Sequence, residues 1–359
     1  MATTVEKIIN ITTELTKLWD KEQGENKIRA SLFNLIVYVH KDERLPLHLA
    51  TIQNVVAKFP CRVIMIIHDT SSHENYIQSS VSSQTIVEGN NQIYCELIQI
   101  SVAGSFLQRV PFIVIPNIQA DLPVYLLWTE DPTEECTIMP RLGRTASRII
   151  FDAEKTESLQ KYSRAILDLS EKYNAEIGDL HWSALFGWRR IFAETFNDRK
   201  TLSHLQECHT IHIVFNSSED VTHQHTDIRA AYLQSWLATC MGWTLKSCDK
   251  GKLTYTDNKQ KIKVHIRGTN ASDLPPGTVV SVEIESDHNG AHYIFKKEAG
   301  GRQIYCQFSD NEMCSLPFRH YLGGVKEGQE IINEIFYPAP KEHYFAMIRM
   351  LANTKWRCE

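Results

Sequence analysis

From Leu32 to Val39 the chain reads L-F-N-L-I-V-Y-V, and from Arg62 to Ile67 it reads R-V-I-M-I-I, with a helical pattern over 47–58 between the two. Both segments are apolar on each face of an extended chain. A strand of that kind needs cover on both sides, which an open antiparallel sheet does not provide. Two such strands joined by a helix make a βαβ unit, so the first half of the chain is predicted to be α/β around a parallel sheet.

Working outward, Ile8, Ile11, Leu15 and Leu18 recur at three and four within Val5 to Trp19, one face of an amphipathic helix. Val124 to Trp128 and Arg148 to Phe151 read as further strands of the same sheet. Thr85 to Glu88 and Gln92 to Val102 flank Gly89, Asn90 and Asn91 as a hairpin, which makes the sheet mixed. The serine-rich stretch Thr70 to Ser83 is expected to be an exposed loop. Between Thr156 and Asn197 two helical patterns follow each other with no strand between them. Beyond them lie a strand at 210–215, a helix at 228–241, and short strands at 252–256, 261–267, 278–286, 291–297 and 302–308. Turn signals such as Asp257-Asn258, Pro276-Gly277 and Asn289-Gly290 separate these strands. Consecutive strands without intervening helices form an antiparallel sheet. Two closing helices, near 327–336 and 341–353, are split by Pro338 and Pro340. The expected architecture is an α/β N-terminal domain with a mixed, largely parallel sheet over 1–155, bridging helices over 156–200, and an α+β C-terminal domain with an antiparallel sheet over 201–359.

The 359 residues are 43% hydrophobic and 23% charged, ordinary usage for a folded protein, and the length suits about two domains. Thirty-eight Lys and Arg against 43 Asp and Glu give a net charge of −5, so no global basic field draws in nucleic acid or anionic lipid. No apolar run approaches the roughly 18 residues of a membrane span. The first turns, with Glu6, Lys7, Asn10 and Glu14, lack the apolar core of a secretion signal, so the expected location is the cytoplasm. Nine cysteines without a C-x-x-C pair read as reduced packing residues, with neither a structural disulfide nor a bound zinc expected.

The first strand is followed by V-H-K-D-E rather than G-x-G-x-x-G, and no G-x-x-x-x-G-K-[ST], G-x-S-x-G or H-E-x-x-H occurs. No cofactor is expected. His223 and His225 would project to one side of an extended segment, as metal ligands do, but they stand in a polar stretch and read as loop histidines. Glu283, Glu285 and Asp287 alternate with apolar residues and read as the solvated face of a strand. Arg141, Arg144 and Arg148 gather in P-R-L-G-R-T-A-S-R, a local cation patch that reads first as a solvated surface with one arginine paired to a nearby Glu, and otherwise as a holder of a phosphate or of a partner's acidic surface. Trp182, Phe186, Trp188, Phe192 and Phe196 ring more than one face of a helix, so a second face must be buried, between domains or by another protein.

The segment D-L-H-W-S-A-L-F-G-W-R-R, Asp179 to Arg190, resembles the signature of the glucose-6-phosphate dehydrogenase assembly proteins, the OpcA family. D-L-P-V-Y-L-L-W-T-E-D-P from Asp121 to Pro132, R-I-I-F-D from Arg148 to Asp152, and R-A-A-Y-L-Q-S-W-L-A-T-C-M-G-W from Arg229 to Trp243 are similar to further family stretches. The pattern differs at Leu127, where the family has a second tryptophan before Trp128, and at Phe186-Gly187, where it has Thr-Pro. The motifs are Trp, Leu, Pro and Asp at strand ends and helix caps rather than catalytic groups. The resemblance implies a non-catalytic factor that binds glucose-6-phosphate dehydrogenase and promotes its assembly or activity, supporting NADPH production in the oxidative pentose phosphate pathway. Through it Trp182, Trp188, Arg189 and Arg190, with Arg141, Arg144 and Arg148, become candidate partner contacts. Some members are linked to thioredoxin control through cysteines, and no motif here places such a pair. The alternative is a sugar-phosphate-binding enzyme using Arg141, Arg144 and a histidine from the 204–225 cluster.

Overall fold

The computed structural model describes residues 4–22, 27–88, 91–249, 251–257, 260–322, 329–336 and 341–356. Gly89, Asn90, Asn258, Pro338, Pro340 and Cys358 of the sequence reading lie outside them. The chain divides into two compact units. One takes Met1–Asp152, Asp168–Leu180 and Glu327–Phe336, and the other takes Ala153–Leu167, His181–Lys326 and Tyr337–Glu359. The segment 156–200, read as a bridge, is therefore shared between them.

The first unit is built on a nine-stranded sheet of β1 (Thr4–Lys7), β2 (Lys27–Arg29), β3 (Asn34–His40), β4 (Arg62–His68), β5 (Asn75–Glu88), β6 (Asn91–Ala103), β7 (Val124–Trp128), β8 (Arg148–Phe151) and β9 (Glu176–Asp179). Its order is β1-β5-β6-β4-β3-β7-β8-β9, with β2 paired to β6. Every pairing is parallel except β5 with β6. The α/β class and the mixed, largely parallel sheet are as the apolar runs predicted. Leu35, Ile36, Val37, Tyr38 and Val39 of β3 and Val63, Ile64, Met65 and Ile66 of β4 are all buried, as strands covered on both faces must be. The one polar residue in the run, Asn34, is also buried. Its side-chain amide donates to the Gln119 carbonyl at 3.0 Å and its oxygen accepts from the Gln119 N–H at 2.7 Å, so neither end is left unpaired.

Two local expectations are corrected. Most of the serine-rich stretch is strand: β5 pairs antiparallel with β6 from Tyr76 opposite Ala103 to Glu88 opposite Asn91. The backbone ladder is satisfied whatever the side chains, and Ile77 and Ser79 are buried while Gln78, Ser80, Ser82 and Ser83 are exposed, which hides the strand from a propensity reading. A short strand, β9, also interrupts the helical stretch after Thr156. Its four residues, E-I-G-D, carry a single bulky apolar side chain.

The second unit carries an eight-stranded sheet of β10 (Cys208–Asn216), β11 (Thr244–Asp249), β12 (Lys252–Thr256), β13 (Lys261–Thr269), β14 (Val279–Ser286), β15 (His292–Lys297), β16 (Gln303–Ser309) and β17 (Phe318–Tyr321). The order is β11-β12-β13-β10-β14-β15-β16-β17. All pairs are antiparallel except β10 with β13. Leu253, Tyr255, Ile211, Ile213, Val282, Ile284, Tyr293 and Phe295 fill its covered face, while Lys263, His212 and Glu283 alternate onto the other.

The aromatic segment forms two short helices, Leu180–Ala184 and Phe186–Thr195. Trp182, Trp188, Phe192 and Phe196 are buried, and only Phe186 is exposed. Within the second unit Phe192 meets Phe295 edge-on at 5.0 Å, Trp182 lies 5.8 Å from Tyr344, and Phe196 lies 4.9 Å from Tyr293. Rings on several faces of this segment thus find partners in the sheet and in the helix Lys341–Ala352.

Candidate functional site

In the first unit the chain steps from β3 through β4 to β6 on one side, and through β7 to β9 on the other. The order therefore reverses between β3 and β7, and the crevice outside the carboxyl ends of those two strands is where doubly wound sheets place ligands. Here a chain of side-chain contacts stands at the crevice. The Glu130 carboxylate accepts the His40 N–H at 3.0 Å with one oxygen and lies 3.0 Å from His40 Nδ1 with the other. The Tyr38 hydroxyl stands 3.3 Å from His40 Nε2 and 2.8 Å from His68 Nδ1, and its ring stacks on Trp128 at 4.1 Å. Burial raises the Tyr38 phenol far above its ordinary range, and burial together with the neighbouring His40 lowers His68, so the hydroxyl stays protonated and the imidazole neutral.

The connection from β3 into the helix Leu45–Val56 holds no glycine. His40-Lys41-Asp42-Glu43-Arg44 fills it, and the Arg44 N–H is capped by the Asp42 carboxylate at 2.9 Å. Arg44 also pairs with Asp152 at 2.8 Å. A dinucleotide's pyrophosphate needs bare backbone N–H groups and a close approach that only glycine permits. Carboxylates of Glu130, Asp42 and Asp152 stand there instead, so the residues do not fit a dinucleotide.

Beside the crevice, Asp69 accepts from Lys41 at 2.7 Å, from Ser71 at 2.9 Å and from Tyr76 at 2.9 Å. The Lys41 ammonium is the main cause that holds its carboxyl below the usual carboxylate range, and the hydrogen bond to Asp69 helps burial push Tyr76 up to about 12. A depressed carboxyl contributes stability that is present above its unfolded value, near ~3.9, and is lost as pH falls through the folded value. Asp69→Asn should therefore melt below the wild type at neutral pH, with the gap closing as pH falls below that value. A series of melting curves from pH 7 downward reads this, and a gap independent of pH would contradict it.

The predicted contact residues fall into two sets. Arg148 is buried at the start of β8, bonded to the Glu176 carboxylate and to the Glu334 carbonyl. Trp182 and Trp188 are buried too. Arg189 is only 9% exposed, with its guanidinium carbon 3.6 Å from the centre of the Trp182 ring and a hydrogen bond to the Trp182 carbonyl. Arg190, Arg141 and Arg144 reach the surface. Arg190 is held by His320 at 2.7 Å and by Glu194 at 3.4 Å. Arg141 lies over the ring of Phe112 at 4.4 Å, and Phe112 is 66% exposed with Ile115 nearby at 39%. Phe112 escaped the sequence reading because V-P-F-I-V-I-P looks like core. The helical turns Val110–Val114 and Ile115–Asn117 bury Val110 and Val114 and turn Phe112 and Ile115 outward.

The histidine cluster resolves into local contacts. His223 Nδ1 is 3.1 Å from Asp220, the His225 N–H donates to Glu154, and buried His204 meets the Tyr293 hydroxyl at 2.7 Å. Among the described residues no group of three or more His, Cys, Asp or Glu is placed to hold a metal ion, and the eight described cysteines are free thiols. No described helix is long and apolar enough to cross a membrane.

These features define a two-unit protein with a doubly wound α/β sheet whose switch-point crevice carries a chain of side-chain contacts in place of a glycine-rich loop. Comparison with known families makes the assignment specific. Residues 53–168 match the family described as "Glucose-6-phosphate dehydrogenase subunit N-terminal domain", and residues 175–314 match the corresponding "C-terminal domain". The chain belongs to this family, that of the OpcA proteins. It is 24% identical over 250 residues to the OxPP cycle protein OpcA of Synechocystis sp., covering 66% of this chain and 51% of that protein. It is 20% identical over 262 residues to the OxPP cycle protein OpcA of Nostoc punctiforme, covering 69% and 54%. The chain thus spans about half the length of the curated relatives it matches. Among solved structures it is similar to biliverdin reductase of Synechocystis sp. (TM-score 0.46, 8% identity, 90% of this chain and 98% of that one). It is also similar to KijD10, a 3-ketoreductase of Actinomadura kijaniata (TM-score 0.49, 7% identity, 89% and 96%). Likenesses at this level carry no inference about activity.

Proposed function

We propose that this chain is a non-catalytic binding factor for glucose-6-phosphate dehydrogenase that favours the enzyme's competent assembly and raises its activity. The observation that supports it most is the crevice's lining. At the switch point of the doubly wound sheet stands the Glu130–His40–Tyr38–His68 chain of contacts and no phosphate-cradling loop, while family membership points to the dehydrogenase as partner. A factor of this kind acts by differential affinity. It shifts the enzyme toward the state it binds better, by no more than the difference in binding free energy.

The docking surface we assign is the exposed Phe112 with Ile115, flanked by Arg141 and Arg144. An aromatic ring under an arginine, rimmed by a second cation, is the composition of an interface anchor, and on a chain of net charge −5 it selects an acidic rim on the partner. Arg141→Glu with Arg144→Glu should slow association and weaken the complex at least tenfold, and Phe112→Ala should speed dissociation, both with melting temperatures near the wild type. Surface plasmon resonance on immobilised dehydrogenase measures each. If the wild type bound and all variants bound equally, the docking surface would lie elsewhere.

A further inference from the structure

Beyond the carboxyl end of β7 lies a cleft of about 360 Å³ in the first unit. Trp128, Met139, Pro140 and Leu169 contribute apolar wall, and Thr133, Glu134, Glu135 and Thr137 form one lip. Lys172 and Tyr173 also line it. Tyr173 is only 4% exposed, yet its hydroxyl has no hydrogen-bond partner among the described residues. A buried hydroxyl left unpaired costs roughly 1–3 kcal/mol, so its retention at the wall of a cleft points to something that enters and pairs with it. The ring is fixed in place by Gly143, where a Cβ would lie 3.2 Å from the Tyr173 ring atoms. Lys172 holds its ammonium 5.6 Å from the centre of the same ring, and Arg144, next to Gly143, acts on the hydroxyl electrostatically against the effect of burial.

The lining therefore combines a cation and a hydroxyl donor with carboxylates and threonine hydroxyls. A simple anion would be repelled by Glu134 and Glu135, and a simple cation by Lys172. Groups that both donate and accept, as sugar hydroxyls do, suit the threonine and carboxylate lip, and the apolar wall suits the C–H face of such a molecule.

We infer that this cleft binds a small polyhydroxylated phosphate ester, the phosphate on Tyr173 and Lys172 and the hydroxyls on Thr133, Glu134 and Thr137. The site belongs to this chain alone and does not rest on the dehydrogenase-binding reading. Isothermal titration of the full chain with glucose 6-phosphate, sorbitol and inorganic phosphate tests it. Glucose 6-phosphate should bind saturably and more tightly than either fragment. Tyr173→Phe, which keeps the ring against Gly143, should weaken it about tenfold, the loss of one hydrogen bond to a charged group. Lys172→Glu, at an exposed position, should abolish the binding without loss of fold. The inference is overturned by an absence of saturable binding up to about 10 mM, by equal affinity in the two variants and the wild type, or by inorganic phosphate binding as tightly as the ester.

Discussion

Trp182→Ala should destabilise the second unit by about 3–5 kcal/mol, the usual cost of truncating a buried tryptophan. The loss has two parts. The indole is 3% exposed and packs 5.8 Å from Tyr344, so its removal leaves a cavity between the helix Leu180–Ala184 and the helix Lys341–Ala352. It also removes the aromatic face beneath Arg189, whose guanidinium is buried and then lacks its cation–π partner. Trp182→Phe should recover part of the loss by restoring a ring. Urea unfolding with a tryptophan-independent signal measures both, and a midpoint unchanged in Trp182→Ala would mean that this segment does not belong to the core.

Glu96→Ala should cost a similar amount in the first unit, about 3–5 kcal/mol, for an electrostatic reason. Glu96 accepts from Arg62 Nε at 2.7 Å, and its other oxygen takes Arg29 at 2.6 Å. Arg62 and Glu96 are both buried, and Arg62 also donates to the Asn117 carbonyl at 2.8 Å. Removing the carboxylate leaves the Arg62 charge buried with one neutral acceptor, which is far costlier than an exposed ion pair is worth. The double variant Arg62→Met with Glu96→Leu should regain most of the stability, since an apolar pair of similar volume carries no uncompensated charge. If Glu96→Ala were as stable as the wild type, the cluster would be solvated in solution.

The parts of the fold that could be read were those where side-chain pattern and burial coincide. β3 and β4 are apolar on both faces because helices and loops cover them, and that requirement is written into every residue from Leu35 to Val39. β5 was hidden because its core contact is carried by few residues, Ile77 among them, while its ladder to β6 needs no particular side chain. The candidate site was less legible. An arginine in sequence reads as surface by default, and what buries Arg148 is Glu176 and the Glu334 carbonyl, far away along the chain. Arg141 and Arg144, from the same motif, stay outside because the helix Met139–Thr145 turns Leu142 and Gly143 inward and leaves its cations facing away. The contacts at the crevice were announced only by what is missing after β3. The carboxylate at their centre, Glu130, follows the end of β7, and no local pattern joins it to His40.

We propose that the chain acts on glucose-6-phosphate dehydrogenase in trans and does no chemistry of its own. The most direct measurement titrates the purified protein into the cognate dehydrogenase while following NADPH formation, with size-exclusion chromatography of the same mixtures. The expected result is no NADPH formation by the protein alone, a saturable rise in the enzyme's rate or fall in its apparent KM, and a co-eluting complex at micromolar concentration. Unchanged kinetics with no complex at that concentration, or dehydrogenase activity in the isolated protein, would contradict it.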